Sequence, residues 1–182
     1  MSDPWERAGV IETYTGGSFD LFSPDPADVR LLDIAAGLAH TCRFGGHCRG
    51  FYSVAEHSLY VSHELPDDPR LQLLGLFHDA GEAYVGDVPR PLKAEQEAFE
   101  RIEAEILEVV WESFAVEPPT DSEWSQVMAA DDRLLAYEAN NILEDGDWAE
   151  QSPDLDYDLR ADSIAGVRER FHSRGQQLLD TV

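Results

Sequence analysis

His78 and Asp79 stand side by side at the end of an apolar run, Leu71-Gln72-Leu73-Leu74-Gly75-Leu76-Phe77. An adjacent imidazole and carboxylate offer one nitrogen and one oxygen ligand, a mixture that suits Zn, Mn, Co or Fe. Alone, such a pair usually closes a helix with one side chain in water. Three further features favour a metal. His57 lies in Val54-Ala55-Glu56-His57-Ser58, Glu82 follows His78 by four residues, and Asp131-Asp132 precedes Leu134-Leu135-Ala136-Tyr137. Residues so spaced share a helix face, which places Glu82 beside His78. Helical bundles commonly build metal sites from facing helices. Two histidines and two carboxylates then leave coordination positions for water and a substrate oxygen.

The elements that must position these residues are mostly helical. Ser53 with Glu56 reads as a capping box opening a helix over about 54–64, which Leu65-Pro66 ends. Pro69 starts another, running to about Tyr84. Gly86-Asp87-Val88-Pro89-Arg90-Pro91 must be a loop. A long helix is expected from about Lys93 to Phe114, with Phe99, Ile102, Ile106, Leu107, Val110 and Trp111 inward, and another from near Asp121 until Gly146. Upstream, a stripe of Val29, Leu32, Ala36 and Ala39 predicts a helix from about Asp28 to His40, followed by a glycine-rich loop from Arg43 to Gly50. Before it, Gly16-Gly17 between two short alternating runs reads as a tight β-hairpin over about 10–22. A last helix is expected over about 162–179. The whole predicts an all-α helical bundle with a small N-terminal hairpin, one domain over 1–182, its catalytic core over about 28–145.

Composition limits the partners. Lys93 is the lone lysine; the remaining basic residues are arginines, and the net charge is -24. Such a surface repels polyanions, because binding nucleic acid needs cations to displace counterions from phosphates. An acidic, lysine-poor surface is also a common adaptation to high salt. No apolar run of about 18 residues occurs, so no membrane span is expected. The N-terminus lacks a signal peptide's basic and apolar regions, which predicts a cytoplasmic protein. In that compartment a Cys42–Cys48 disulfide is not expected. A zinc site from Cys42, His47 and Cys48 is a rival idea, though its spacing matches no standard finger or ribbon.

The order His57, His78-Asp79, then a later aspartate resembles the HD-domain phosphohydrolase superfamily. Arg43-Phe44, the segment Tyr52 to Ser58 and the block from His78 to Lys93 are similar to one branch, the 5′-deoxynucleotidases and phage or prokaryotic deoxynucleotide phosphohydrolases. The resemblance covers roughly residues 10 to 145. It implies one divalent cation (Mn, Co, Zn, Mg, Ni or Fe) held by His57, His78, Asp79 and Asp132. Asp132 is preferred to Asp131 because Asp132-Arg133-Leu134-Leu135-Ala136-Tyr137-Glu138 fits the family's spacing. Glu82 matches the carboxylate that positions or deprotonates the attacking water, and Asp87 a second acid near the phosphate. Arg43 matches the phosphate-binding arginine and Phe44 an aromatic near the sugar or base; His47, Arg90 and Lys93 are further candidates for substrate contact.

Residue chemistry agrees with these implied roles. A divalent ion lowers the pKa of bound water and polarises a phosphoryl oxygen. Arg43 offers a planar fork that matches phosphate, as lysine does not. No Gly-Tyr-Pro signature is present, which sets aside the cyclic-dinucleotide branch. The expected activity is hydrolysis of a nucleotide, either monophosphate to nucleoside and phosphate or triphosphate to nucleoside and triphosphate. The alternative is a nucleotide-binding or regulatory HD protein without turnover. The resemblance also implies a homodimer or larger homo-oligomer.

Overall fold

Two prolines, Pro24 and Pro26, follow the N-terminal strand pair and turn the chain towards helix. The computed structural model describes residues 9–146, 149, 152–159 and 163–182. Strands β1 (Val10–Glu12) and β2 (Ser18–Asp20) pair antiparallel, with Ile11 opposite Phe19. The hairpin is shorter than expected, and its turn is wider than a Gly-Gly pair alone. Thr13 N–H donates to the Gly17 carbonyl, Gly16 N–H donates to that of Thr13, and Gly16 takes a left-handed φ of 80°.

Eight α-helices follow, which makes the described chain mostly helical: α1 (Leu31–His40), α2 (Val54–Glu64), α3 (Pro69–Phe77), α4 (Glu82–Val85), α5 (Arg90–Lys93), α6 (Glu97–Ser113), α7 (Asp121–Ile142) and α8 (Ile164–Leu179). The expected α8 start at Asp162 lies outside the described residues. α2 opens as its sequence requires. Ser53 Oγ accepts from Glu56 N–H at 3.2 Å and Glu56 Oε2 accepts from Ser53 N–H at 3.1 Å. One apolar core runs through the elements, with Phe19, Ile34, Leu38, Leu73, Leu74, Leu76, Phe77, Ile106, Leu134 and Phe171 fully buried. Among the described residues no helix is long and apolar enough to cross a membrane.

One expected helix is broken in two and another starts late. The helix through His78 ends at Phe77, where bonds to the fourth residue back give way to bonds to the third: Ala80 to Phe77, Glu82 to Asp79, Ala83 to Ala80. At three residues per turn, a spacing of four residues is roughly 120° of rotation, so Glu82 leaves the face of His78. Downstream, Arg90 and Pro91, expected in the loop, open the short helix α5, Pro91 being tolerated in its first turn. The chain then opens at Gln96, with φ −129° and ψ 67°, so α6 begins at Glu97 rather than Lys93. Of the residues expected inward on that helix, Ile106, Val110 and Trp111 are buried; Phe99, Ile102 and Leu107 are half-buried.

The hairpin and α1 fix α4 in place. Phe19 stacks on Tyr84 with ring centroids 3.9 Å apart, and Asp33 on α1 accepts from Thr15 N–H and Oγ1 at 2.7 and 3.0 Å. Helix α1 touches α4 at Gly37, where a Cβ would lie 2.5 Å from the Ala83 carbonyl oxygen. Gly37→Ala is therefore expected to destabilise the protein by about 1–3 kcal/mol, read by urea unfolding, because the neighbour is backbone and cannot swing away. A cost near zero would mean that α4 is not pinned there.

Helix α3 is tied to the start of α7 by Arg70, whose Nε donates to Glu123 Oε1 at 2.6 Å. That bond and the backbone N–H of Thr120 hold the Glu123 carboxyl down at about 2, below its ordinary 4.5. A carboxyl depressed on folding stabilises fully above its unfolded value, and that contribution fades as pH falls from about 4.5 towards about 2. The melting temperature is expected to decline over that window, and Arg70→Ala to blunt the decline. An equal decline in the variant would remove Arg70 from the account.

Candidate metal centre

The capping box sets the phase of α2, and that phase buries His57 completely. His78 comes from the end of α3, also buried, with Asp79 in the tightened turn after it. The three meet: His57 Nε2 lies 3.3 Å from His78 Nε2, and Asp79 Oδ2 lies 3.1 Å from His78 Nε2 and 3.8 Å from His57 Nε2. Among the described residues this is the group of nitrogen and oxygen donors that could hold a metal ion, its ligand atoms within 4.8 Å of one another. Cys42, Cys48 and His47 form no such group there.

The outer ring nitrogens explain why the donors fit a cation. His78 Nδ1 faces the Gly75 carbonyl at 2.8 Å, and a carbonyl can only accept. His57 Nδ1 faces Glu138 Oε1 at 2.7 Å. Each imidazole can therefore donate outward through Nδ1 while its Nε2 turns towards the same point, the arrangement that metal-ligating histidines use. Burial opposes charge on His78, yet Asp79 and Asp131 push its pKa up to about 9. The cluster attracts positive charge even through a proton, which a metal ion would displace.

Glu138, fully buried on α7, ties two parts of the site together. Besides His57, it accepts from Tyr52 Oη at 2.8 Å and from Arg43 Nε and a terminal Arg43 nitrogen at 3.1 and 3.0 Å. The other terminal nitrogen of Arg43 lies 3.9 Å from Asp79 Oδ2. One edge of the guanidinium is thus clamped and one corner faces the cluster.

Asp131 reaches the cluster, and Asp132 does not. Asp131 Oδ1 is 3.0 Å from His57 Nε2, and the residue is 4% exposed. Asp132 carries a side chain 66% exposed, and its Oδ1 accepts from Arg90 at 3.0 Å. The fourth side chain at the cluster is therefore Asp131, one residue before the expected one. Neighbours on a helix point about 100° apart, and the core-facing stripe of α7 passes through Val127, Ala130, Asp131, Leu134 and Glu138.

Glu82 is buried and close enough to Asp79 to feel its charge. Its Oε1 accepts from Lys93 Nζ at 2.8 Å, while its buried Oε2 has no partner. Burial and the Asp79 carboxylate push the Glu82 carboxyl up to about 9 against the pull of Lys93. An orphaned buried carboxylate oxygen beside a cation-seeking cluster fits a water or ligand contact.

No protein-family model matches the chain. It is 37% identical over 139 residues to the uncharacterized protein YfdR of Escherichia coli (strain K12), a match that takes in 76% of this chain and 75% of that one. The chain belongs to the YfdR family. An uncharacterized protein of Rhodobacter capsulatus is 39% identical over 101 residues, covering 52% of this chain and 49% of that relative.

Within this YfdR-family chain the expected substrate contacts divide. Arg43 lines the cluster, with Phe44 beside it under the guanidinium, 5.4 Å from ring centroid to Cζ. His47 is exposed on the loop. Arg90 and Lys93 are engaged within the protein: Arg90 donates to Asp131 Oδ2 at 2.6 Å and to Asp132, and Lys93 bridges Glu82 and Glu103. Asp87 follows the left-handed Gly86 and raises the Glu82 carboxyl through its charge. Sequence reasoning missed Glu138, Tyr52 and Glu103. Glu138 carried a signal, since it lies seven residues after Asp131, on the same face of an otherwise apolar stripe.

Proposed function

We propose that the chain is a metal-dependent phosphohydrolase of the HD-domain superfamily, acting on a nucleotide, with deoxynucleotides as its class of substrate. The observation that supports this best is the pair of Nε2 atoms 3.3 Å apart beside Asp79, with each ring's Nδ1 turned outward to an acceptor. His57, His78 and Asp79, with Asp131, would hold the ion. Bound there, a divalent cation supplies Lewis acidity to a phosphoryl oxygen and an attacking water.

The remaining steps belong to the chain's own groups. The corner of Arg43 that faces Asp79 binds and orients a phosphate oxygen, its other edge held by Glu138. Glu82 Oε2, buried and without a protein partner, is the carboxylate oxygen left to take or return the proton of the attacking water. Lys93 anchors Glu82 through Oε1 and leaves Oε2 to the reaction. Phe44 offers a face to the sugar or base. With net charge -24, Arg43 is a local exception in a field that repels anions, and polyanions such as nucleic acid are not its partners.

The test is release of phosphate, triphosphate and nucleoside from deoxynucleoside mono- and triphosphates with Mn, Co, Mg, Ni, Fe or Zn, beside Asp79→Ala. Metal-dependent turnover lost in the variant is the expected result, and the products identify the bond that is cut. Folded, metal-loaded protein that turns over none of them would overturn this reading.

A further inference from the structure

Cys42 and Cys48 bracket the loop that carries Arg43 and Phe44, and the proposed chemistry uses neither thiol. Their sulfurs lie 3.7 Å apart, and both residues are half-buried, within reach of a small reagent. The loop is already folded back on itself. Cys42 bridges Ser53, Arg43 N–H donates to the Tyr52 carbonyl at 2.9 Å, and the Cys48 thiol donates to the Gly50 carbonyl at 2.9 Å. Phe44 and Gly45 take left-handed φ angles of 56° and 59°, a tight turn between the two cysteines. A disulfide needs its sulfurs about 2.05 Å apart, so closure asks for an approach of roughly 1.7 Å. A small adjustment of both side chains supplies that.

We propose that Cys42 and Cys48 form a reversible intramolecular disulfide, a redox modification site that closes a ring around Arg43 and Phe44. The oxidant is a low-molecular-weight disulfide. One cysteine thiolate attacks it, forming a mixed disulfide and releasing one small thiolate. The second cysteine thiolate attacks the protein sulfur of that mixed disulfide, forming the Cys42–Cys48 bond and releasing the second small thiolate. The two protein protons end on the two released thiols, and the two electrons lost by the cysteines reduce the reagent. His57, His78, Asp79 and Asp131 lie outside the ring, so its contraction acts on the Arg43 and Phe44 contacts and spares the metal ligands. That consequence rests on the phosphohydrolase reading; the disulfide itself does not.

The full-length protein is equilibrated in mixtures of oxidised and reduced glutathione, then read by intact mass and thiol titration. The wild type is expected to lose two hydrogens and both titratable thiols, to remain unlinked between chains, and to recover with dithiothreitol. Cys42→Ser and Cys48→Ser should each retain a glutathione adduct instead. Wild-type protein that keeps both thiols, holds stable adducts or crosslinks between chains overturns the proposal. Oxidation is further expected to raise the KM for nucleotide several-fold with kcat kept, and dithiothreitol to restore it. An unchanged KM in fully oxidised protein overturns the coupling to the site. If no nucleotide is turned over, the mass and thiol readings still decide the disulfide.

Discussion

Asp131→Ala is expected to abolish metal binding and lower kcat/KM by more than about 100-fold, while Asp132→Ala stays within a few-fold of wild type. The difference follows from where α7 points two adjacent carboxylates. Asp131 is buried, with Oδ1 3.0 Å from His57 Nε2 and Oδ2 fixed by Arg90 at 2.6 Å. His57 and His78 hold its carboxyl down at about 2 although burial and the Asp79 charge oppose ionisation, so it is an anion at neutral pH. Removing it takes a charged donor from the cluster's edge. Asp132 loses only an exposed contact with Arg90, worth about 0–1 kcal/mol. Asp131→Asn separates ligand loss from misfolding, since it keeps the shape and the Oδ1 acceptor but not the charge. Metal content per chain and kcat/KM are the measurements. If Asp132→Ala lost its metal and Asp131→Ala kept it, the assignment drawn from the fold would be wrong and the family spacing right.

That pair of aspartates shows where sequence reasoning stops. Ser53 and Glu56 announce the α2 cap because capping is local chemistry, and the cap then buries His57. His78-Asp79 is legible because it ends an apolar run whose length limits the helix. The choice between Asp131 and Asp132 turns on the phase of a helix with 22 residues, which packing sets. The stripe through Val127, Ala130, Leu134 and Glu138 favoured Asp131, and motif spacing concealed it. Glu82 shows the opposite fault. Its spacing from His78 implies one shared face only in an unbroken α-helix, and the tightened turn at Asp79–Gly81 carries it to another. Arg90 and Lys93 are candidates for substrate contact in the sequence, yet the folded chain commits both to buried carboxylates. Only contacts between distant segments could reveal that.

Glu138→Ala is expected to destabilise the protein by about 3–5 kcal/mol, the largest stability effect of any single change at the site. The carboxylate is fully buried, and its loss would strand the Arg43 guanidinium, the His57 Nδ1 proton and the Tyr52 hydroxyl without their acceptor. Because unfolding obscures function, Glu138→Gln is the informative variant. Its amide oxygen can still accept from His57 or Tyr52, but its NH2 meets the Arg43 fork as donor against donor. The variant should fold, melt at a lower temperature and bind metal about 10–100-fold more weakly, as loss of an outer carboxylate does elsewhere. Its KM for an anionic substrate should rise as well, because the same carboxylate aims Arg43. Tyr52→Phe is the control: it removes one hydrogen bond to Glu138, costs about 1–3 kcal/mol in stability and leaves metal affinity nearly unchanged. Calorimetric titration of metal into each folded variant separates the outcomes. Equal metal affinity in Glu138→Gln and wild type would mean that the His57 ring is held by packing alone. The link from Glu138 through His57 to the cation would then fail, even if the loss in melting temperature were as large as expected.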